Sequence, residues 1–295
     1  MKLDLLDFIE LENCTSGSGI ELYNDKLYIV GEKFSDLLVM RKKWSKPAFV
    51  SLPLADAPAD IDPTANMASM TVLQNDKKSQ LLIIGSGGTA EKSAAIFVNL
   101  KNDTGRRFDL RVFYDRIRST NAGALNIEGI AEVYDYVVLV NRSSADRPLN
   151  QLLITKPDFW KNQEKAPLQM VTLDFESVGL NNNPAVSGIT YSDKHEDLFL
   201  TINTPAWQDD KGDMHAPGIY LGVVENLYRK IGREKGKMKI NHLVDLQAAD
   251  KNFAGYTLEA VCIQSEKDHS VKLQLLTDDE NGINNIFKVN LDWES

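Results

Sequence analysis

Short apolar runs, each about five residues long and bounded by turn residues, recur along the whole chain. Examples are residues 26–30 (KLYIV), 80–84 (QLLII), 136–140 (YVVLV) and 271–276 (VKLQLL). Runs of this length and spacing, rich in Val, Ile, Leu and Tyr, predict β-strands and an all-β fold. None approaches the roughly 20 apolar residues of a membrane-spanning helix.

One pattern opens each group of runs: a small or acidic residue, a second small residue, an aliphatic residue and then a β-rich run. The opening residues are Ser18, Ala68, Glu128, Ser187 and Glu259. Each of the first four units has room for four strands. The fifth offers three, and the N-terminal run at 3–11 can supply the fourth.

This repeat predicts one domain over residues 1–295. We expect a five-bladed β-propeller of four-stranded blades, with the last blade closed by the N-terminal strand. Pairing strands from the two ends of the chain avoids the exposed edge that an open array would leave. The alternative is an irregular all-β sandwich.

In a propeller, the innermost strands run along a central channel, so the five opening residues would form a ring around it. Oxygen ligands are what a hard divalent cation requires, either Ca²⁺ or alternatively Mg²⁺. The candidate metal ligands are therefore Glu128, Glu259, Ser18 and Ser187. The other interpretation is a water-filled channel with solvated glutamates.

The connections between second and third strands should reach the same face as the ring and give it a polar rim. Candidates for binding a small anionic molecule there are Arg142, Asn141, Ser86 and Asp278, with Arg147 as a second guanidinium. The amides of the glycine-rich stretch 85–88 could bind an anion or simply form a tight turn. Trp207, in the longest loop at 204–217, could cover a ligand or only hold the loop.

Three short sequence segments resemble segments of known proteins. They are residues 126–130 (NIEGI), 82–88 (LIIGSGG), and 16–20 (SGSGI) with 25–28 (DKLY). Over nearly the whole chain, the sequence resembles an uncharacterised family of bacterial β-propellers common in Bacteroidota. More remotely, the Glu-Gly-Ile opening resembles phytase-like esterases and calcium-activated nucleotidases. That resemblance implies a calcium site in the channel with Glu128 and Glu259 as its carboxylates.

Composition narrows the classes of function. The chain has 33 Lys and Arg against 42 Asp and Glu, and this net charge of −9 argues against binding along a nucleic-acid backbone. Cys14 and Cys262 allow neither a disulfide framework nor a Cys-rich zinc site. The N-terminal residues lack the apolar core of a secretory signal, so we expect a cytoplasmic protein that does not bind membranes.

Two functions of different classes remain open. The first is a metal-assisted hydrolase of a phosphoester, ester or lactone, in which the channel cation activates water and Arg142 orients the anion. The second is a non-catalytic propeller that binds a small molecule or a protein partner. No nucleophile elbow, phosphate-binding loop or dinucleotide motif occurs in the sequence to favour another chemistry.

Overall fold

The computed structural model describes residues 1–31, 36–51, 54–55, 67–75, 78–122, 124–144, 148–208, 214–279 and 282–293. Its main strands form five sheets of four or five strands, and these sheets stand in a ring with their first strands at the centre. The fold is therefore the five-bladed β-propeller that the repeat predicts. Arg147, one of the two candidate guanidiniums, lies outside the described residues.

The blades follow one another along the chain. Strand β1 (Lys2–Thr15) comes first and belongs to the last blade. Blade 1 contains β2 (Gly17–Tyr23), β3 (Lys26–Gly31), β4 (Leu37–Arg41) and β5 (Ala48–Val50). Blade 2 contains β6 (Leu54–Ala55), β7 (Met67–Asn75), β8 (Lys78–Gly85), β9 (Ala94–Asn99) and β10 (Thr104–Asp109).

Blade 3 follows helix α1 (Arg111–Ile117) and a π-helical turn (Arg118–Ala122). It contains β11 (Ile127–Val133), β12 (Tyr136–Asn141), β13 (Gln151–Thr155) and β14 (Gln169–Asp174). A 3₁₀ turn (Glu176–Val178) leads to β15 (Ala185–Ser192) and β16 (Asp197–Thr204), the inner strands of blade 4.

The second half of blade 4 is interrupted by smaller elements. These are the hairpin strands β17 (Trp207–Gln208) and β18 (Met214–His215), then β19 (Gly218–Val224), helix α2 (Leu227–Lys230), β20 (Lys237–Lys239) and β21 (His242–Asp245). Strands β19 and β21 complete blade 4, whereas β20 adds a parallel strand to blade 3.

Blade 5 closes the ring. It follows helix α3 (Leu246–Ala249) and a 3₁₀ turn (Lys251–Phe253), and contains β22 (Tyr256–Lys267), β23 (Ser270–Asp279) and β24 (Ile283–Asp292). Strand β1 pairs antiparallel with β24, from Lys2 opposite Asp292 to Glu10 opposite Asn285. The predicted closure by the N-terminal strand is thereby confirmed.

The hydrophobic core is divided into five clusters, each of which joins two neighbouring blades. The residues of strand β12 form one continuous apolar run because both faces of the strand are buried. Val138 and Val140 pack towards blade 4, while Val137 and Leu139 pack towards blade 2. Because successive side chains of a strand point to opposite faces, a blade packed on both sides needs apolar residues at every position.

Neighbouring blades are also joined by hydrogen bonds at the start of the innermost strands. The amide of Gly17 donates to Asn284 Oδ1 (2.7 Å), that of Val186 to Asn150 Oδ1 (2.9 Å) and that of Leu258 to Asn203 Oδ1 (2.9 Å). In each pair the Asn belongs to the preceding blade. These bonds provide partners for amides that have no neighbouring strand on the channel side.

One predicted strand is wrong in part. The run at 108–112 (FDLRV) predicts a strand from its sequence, but β10 ends at Asp109 and helix α1 begins at Arg111. The Asp109 carboxylate accepts a hydrogen bond from the Arg111 amide (2.8 Å), which favours a turn. Phe113, Tyr114 and Ile117 then share one buried helical face.

Removing an inter-blade amide should destabilise the ring. For Asn203→Ala we expect a loss of about 1–3 kcal/mol in the free energy of unfolding, because the Leu258 amide and carbonyl lose their partner. Urea denaturation of the variant measures this loss. The matched control is Asn181→Ala, an exposed Asn without a hydrogen bond to another described residue. Equal stability of the two variants would contradict the role given to Asn203.

Candidate functional site

The five residues that open the sequence repeat occupy one equivalent position in the structure. Each is the extra residue of a β-bulge, where the pairing of the innermost strand with the second strand shifts by one. The five bulged residues are Ser18, Ala68, Glu128, Ser187 and Glu259. A bulge turns a side chain out of the regular alternation, and bulges are over-represented next to functional sites.

The next residue in each inner strand lies against the following blade. A Cβ atom built on Gly188 would lie 2.8 Å from Ala260 Cα, and one on Gly129 would lie 2.9 Å from the Ile189 amide nitrogen. Neither distance leaves room for a side chain, since real Cβ contacts of this kind are longer than 3 Å. The expected narrow packing near the axis is present.

Three of the four candidate metal ligands, Ser18, Ser187 and Glu128, make hydrogen bonds within the fold. Ser18 Oγ donates to the Met67 carbonyl (2.6 Å), and Ser187 Oγ contacts Thr201 Oγ1 (3.1 Å). Asn126 Nδ2 donates to Glu128 Oε1 (2.6 Å), and Arg142 Nη1 lies 3.6 Å from the same oxygen. The part of the chain that the structure describes contains no group of three His, Cys, Asp or Glu that could hold a metal ion.

Glu128 and Glu259 belong to blades 3 and 5, so a calcium ion bound by both would draw its roughly 6–8 oxygen ligands from across the channel. The Arg142 guanidinium beside Glu128 already offsets part of the charge that a cation would neutralise. The divalent-cation site stays a prediction.

The candidate anion-binding residues make hydrogen bonds within the blades. Asn141 is fully buried, and its Oδ1 accepts from the Asn126 amide (2.8 Å). The Ser86 carbonyl accepts from the Ile127 amide (2.8 Å). The Asp278 carboxylate accepts from Asn284 Nδ2. Arg142 lies beside Glu128, and the binding of an anion by these four residues stays a prediction.

The glycine-rich stretch 85–88 has a structural role. Tyr114 Oη donates to the Gly85 carbonyl (2.7 Å), and the Arg118 guanidinium donates to the Gly87 carbonyl. Gly87 has a φ of 73°, and a Cβ there would lie 2.7 Å from the Tyr114 ring. Of the two interpretations of this stretch, the tight turn agrees with the contacts.

We call the face where the innermost strands begin the upper face and the opposite one the lower face. The lower mouth of the channel is acidic, which the sequence reasoning missed. A cavity of about 240 Å³ there includes carboxylates from four blades: Glu21, Glu132, Asp193 and Glu266. The Glu132 carboxylate accepts from the Gln74 amide at 2.8 and 3.0 Å, and Glu21 Oε1 accepts from the Leu22 amide at 2.9 Å.

The pKa values of Glu21 and Glu132 lie above the ordinary value of a glutamate. Burial raises the pKa of Glu21 to about 7, against the opposing effect of its hydrogen bonds, and the charge of Glu132 raises it further. Burial also raises the pKa of Glu132 to about 7, with a smaller contribution from Asp193. Both carboxylates contact backbone amides of the inner strands, so their first role is to support the ring.

A second cleft lies on the upper face of blade 4. It has a volume of about 530 Å³ and is lined by residues from the segment before β15, the β17–β18 hairpin and the ends of β19 and β21. The indole of Trp207 is 38% exposed and stacks on the His215 ring, with ring centroids 4.2 Å apart and planes 10° from parallel. Because the two residues are directly opposite in the hairpin, the stack gives the cleft a rigid aromatic wall.

Polar groups surround this aromatic wall. The side chains of Asn181, Asn182 and Gln247 line the cleft and make no hydrogen bond to another described residue. Burial and the nearby Asp245 carboxylate raise the pKa of Tyr220, so its hydroxyl stays protonated near neutral pH. A Cβ on Gly218 would lie 2.5 Å from Tyr220 Oη, so this glycine leaves room for the tyrosine.

Of the residues that line the cleft, the sequence reasoning singled out only Trp207. The signal for it was an aromatic residue in the longest loop. The amide side chains and Tyr220 come from separate segments, and no sequence spacing connects them.

Fold and site together define a five-bladed β-propeller protein with a polar cleft at the rim of one blade. The chain belongs to a family of unknown function, DUF6929, whose sequence pattern matches residues 13–291. The expected membership of an uncharacterised propeller family is confirmed. No curated protein has significant sequence similarity to it.

Solved structures with a similar architecture include two enzymes. Glutaminyl cyclase from Myxococcus xanthus is 8% identical, with a TM-score of 0.50 over 99% of this chain and 97% of that chain. An endo-arabinase from Bacteroides thetaiotaomicron is 9% identical, with a TM-score of 0.51 over 95% of each chain. At such low identity the likeness shows the fold and not the activity.

No helix within the described residues has the length and apolar character needed to cross a membrane.

Calcium titration tests the predicted channel site. Calorimetry of metal-stripped protein should give no binding in the micromolar range, because oxygens of Ser18, Glu128 and Ser187 are already engaged in hydrogen bonds of the fold. Glu128→Gln and Glu259→Gln should then leave the titration unchanged. Micromolar binding of Ca²⁺ or Mg²⁺ that both substitutions abolish would contradict this expectation and support the predicted metal site.

The carboxylates of the lower mouth predict an unusual pH dependence of stability. Between about pH 4.5 and 7 the folded state keeps protons that the unfolded state releases, so the free energy of unfolding should fall as pH rises. The full shift of one group converts to roughly 3 kcal/mol, and partial exposure reduces this to roughly 1–2 kcal/mol. Urea denaturation at pH 5 and pH 8 measures the difference.

A neutral residue at one position isolates its contribution. Glu21→Gln should reduce the fall in stability between pH 5 and pH 8, whereas the exposed Glu164→Gln should reproduce the wild-type fall. If the stability of Glu21→Gln depends on pH as strongly as that of the wild type, Glu21 does not titrate in this range.

Proposed function

We propose that this protein is a non-catalytic binding propeller that holds a small polar molecule in the upper cleft of blade 4. The observation that carries the proposal is the combination of an exposed Trp207–His215 stack with three amide side chains that the fold does not use. A concave site with an apolar wall and a few convergent polar groups is the usual form of a small-molecule pocket. The volume of about 530 Å³ lies within the ~300–1,000 Å³ range of such pockets.

A metal-assisted hydrolase has less support. That reaction needs a cation whose ligands leave a position for water or substrate. Three of the four candidate ligands, Ser18, Glu128 and Ser187, make hydrogen bonds within the fold, and Arg142 lies 3.6 Å from Glu128. Hydrolysis therefore stays a prediction from sequence, and binding is the function we propose.

A thermal-shift screen tests the proposal. Neutral sugars, nucleosides, amino acids and amines are added separately to the wild type and to Trp207→Ala. A ligand at about 100 times its Kd contributes about 2.7 kcal/mol to stability. This should raise the melting temperature of the wild type by several degrees and that of the variant by much less.

The control variant is Phe49→Ala, which removes an aromatic ring of similar exposure (43%) in blade 1. It should respond to ligand as the wild type does. The proposal fails if no class of ligand stabilises the protein through Trp207, or if turnover of an ester or phosphoester is found and is lost in Glu128→Gln.

A further inference from the structure

We propose that the ligand of the blade 4 cleft is a neutral saccharide. This inference rests on the binding function proposed above. The cleft has three properties that together select this chemical class: its charge, the type of its polar groups and the geometry of its aromatic wall. The described residues that carry these properties are Trp207, His215, Asn181, Asn182 and Gln247.

The charge of the cleft disfavours anions and leaves one carboxylate for a cation. The described residues that line it include no Lys or Arg, so a phosphate or carboxylate group would find neither of the two side chains that usually bind it. Asp245 is the only carboxylate among them, and its Oδ1 accepts from the Ala248 amide (3.0 Å) as the cap of helix α3. A protein net charge of −9 adds a general repulsion of anions.

The polar groups are of a type that suits hydroxyls. Each side-chain amide offers both donors and an acceptor, and a hydroxyl group likewise donates once and accepts twice. Asn181, Asn182 and Gln247 offer these groups from two separate segments, before β15 and in helix α3. A molecule with several hydroxyls around a ring can therefore meet all three amides at once, and the Tyr220 hydroxyl adds a further polar group.

The aromatic wall suits the remaining face of a sugar ring. Stacking on His215 covers one face of the Trp207 indole, while 38% of the residue remains exposed. The C–H groups of a pyranose or furanose form an apolar face that can lie flat on an indole, whose electron-rich surface attracts them. The sugar then turns its hydroxyls towards the amides.

The test is a titration of the full chain with neutral disaccharides of hexoses and pentoses in both anomeric linkages. Binding is followed by Trp fluorescence and by calorimetry. We expect at least one disaccharide to bind, Trp207→Ala to weaken it at least about tenfold, and Asn182→Ala and Gln247→Ala to weaken it several-fold each. Trp207→Phe, which keeps an aromatic face, should retain most of the affinity, and Phe49→Ala should not change it.

Charged and non-sugar probes separate the two proposals. Adenosine, spermidine and glucose 6-phosphate are titrated in parallel. If one of these binds through Trp207 and no neutral disaccharide does, the saccharide inference is overturned while the binding function stands. If the sugar phosphate binds more tightly than the neutral sugars, the inference of a neutral ligand is also wrong. If no probe binds in a way that depends on Trp207, both proposals fail.

Discussion

The structure depends on how the channel edge of each innermost strand obtains its hydrogen bonds. That edge has no neighbouring strand, and an unpaired buried amide costs about 1–3 kcal/mol. The protein provides partners from the preceding blade, such as Asn284 for Gly17 and Asn203 for Leu258. Hydrogen bonding in one blade is therefore completed by the blade before it, and the ring is stabilised as a whole.

This constraint occupies many of the polar groups of the channel. Polar residues near the axis, among them Ser18, Ser187 and Glu128, make hydrogen bonds within the ring. At the lower mouth, the carboxylates of Glu21 and Glu132 accept from backbone amides although burial disfavours their charge. Further out, in the blade 4 cleft, three amide side chains make no hydrogen bond to another described residue.

The cleft owes its form to an interruption of the repeat. Blade 4 inserts a small hairpin between its second and third strands, and the insertion carries Trp207 and His215 to the upper face. Loops can vary in this way because the rigid blades below already satisfy the packing of the core. A function at the rim can thus differ between proteins that share the ring.

The sequence by itself determined the strands, the number of blades and the closure by the N-terminal run, because buried strands and turns leave local patterns at a regular spacing. It also located the five bulges, since Ser18, Ala68, Glu128, Ser187 and Glu259 share one local motif. Only the tertiary structure decided what those residues do. The partner of Arg142 is Glu128, and the wall of the cleft joins Asn182 with Gln247; such contacts depend on how distant segments meet in space, which no local pattern records.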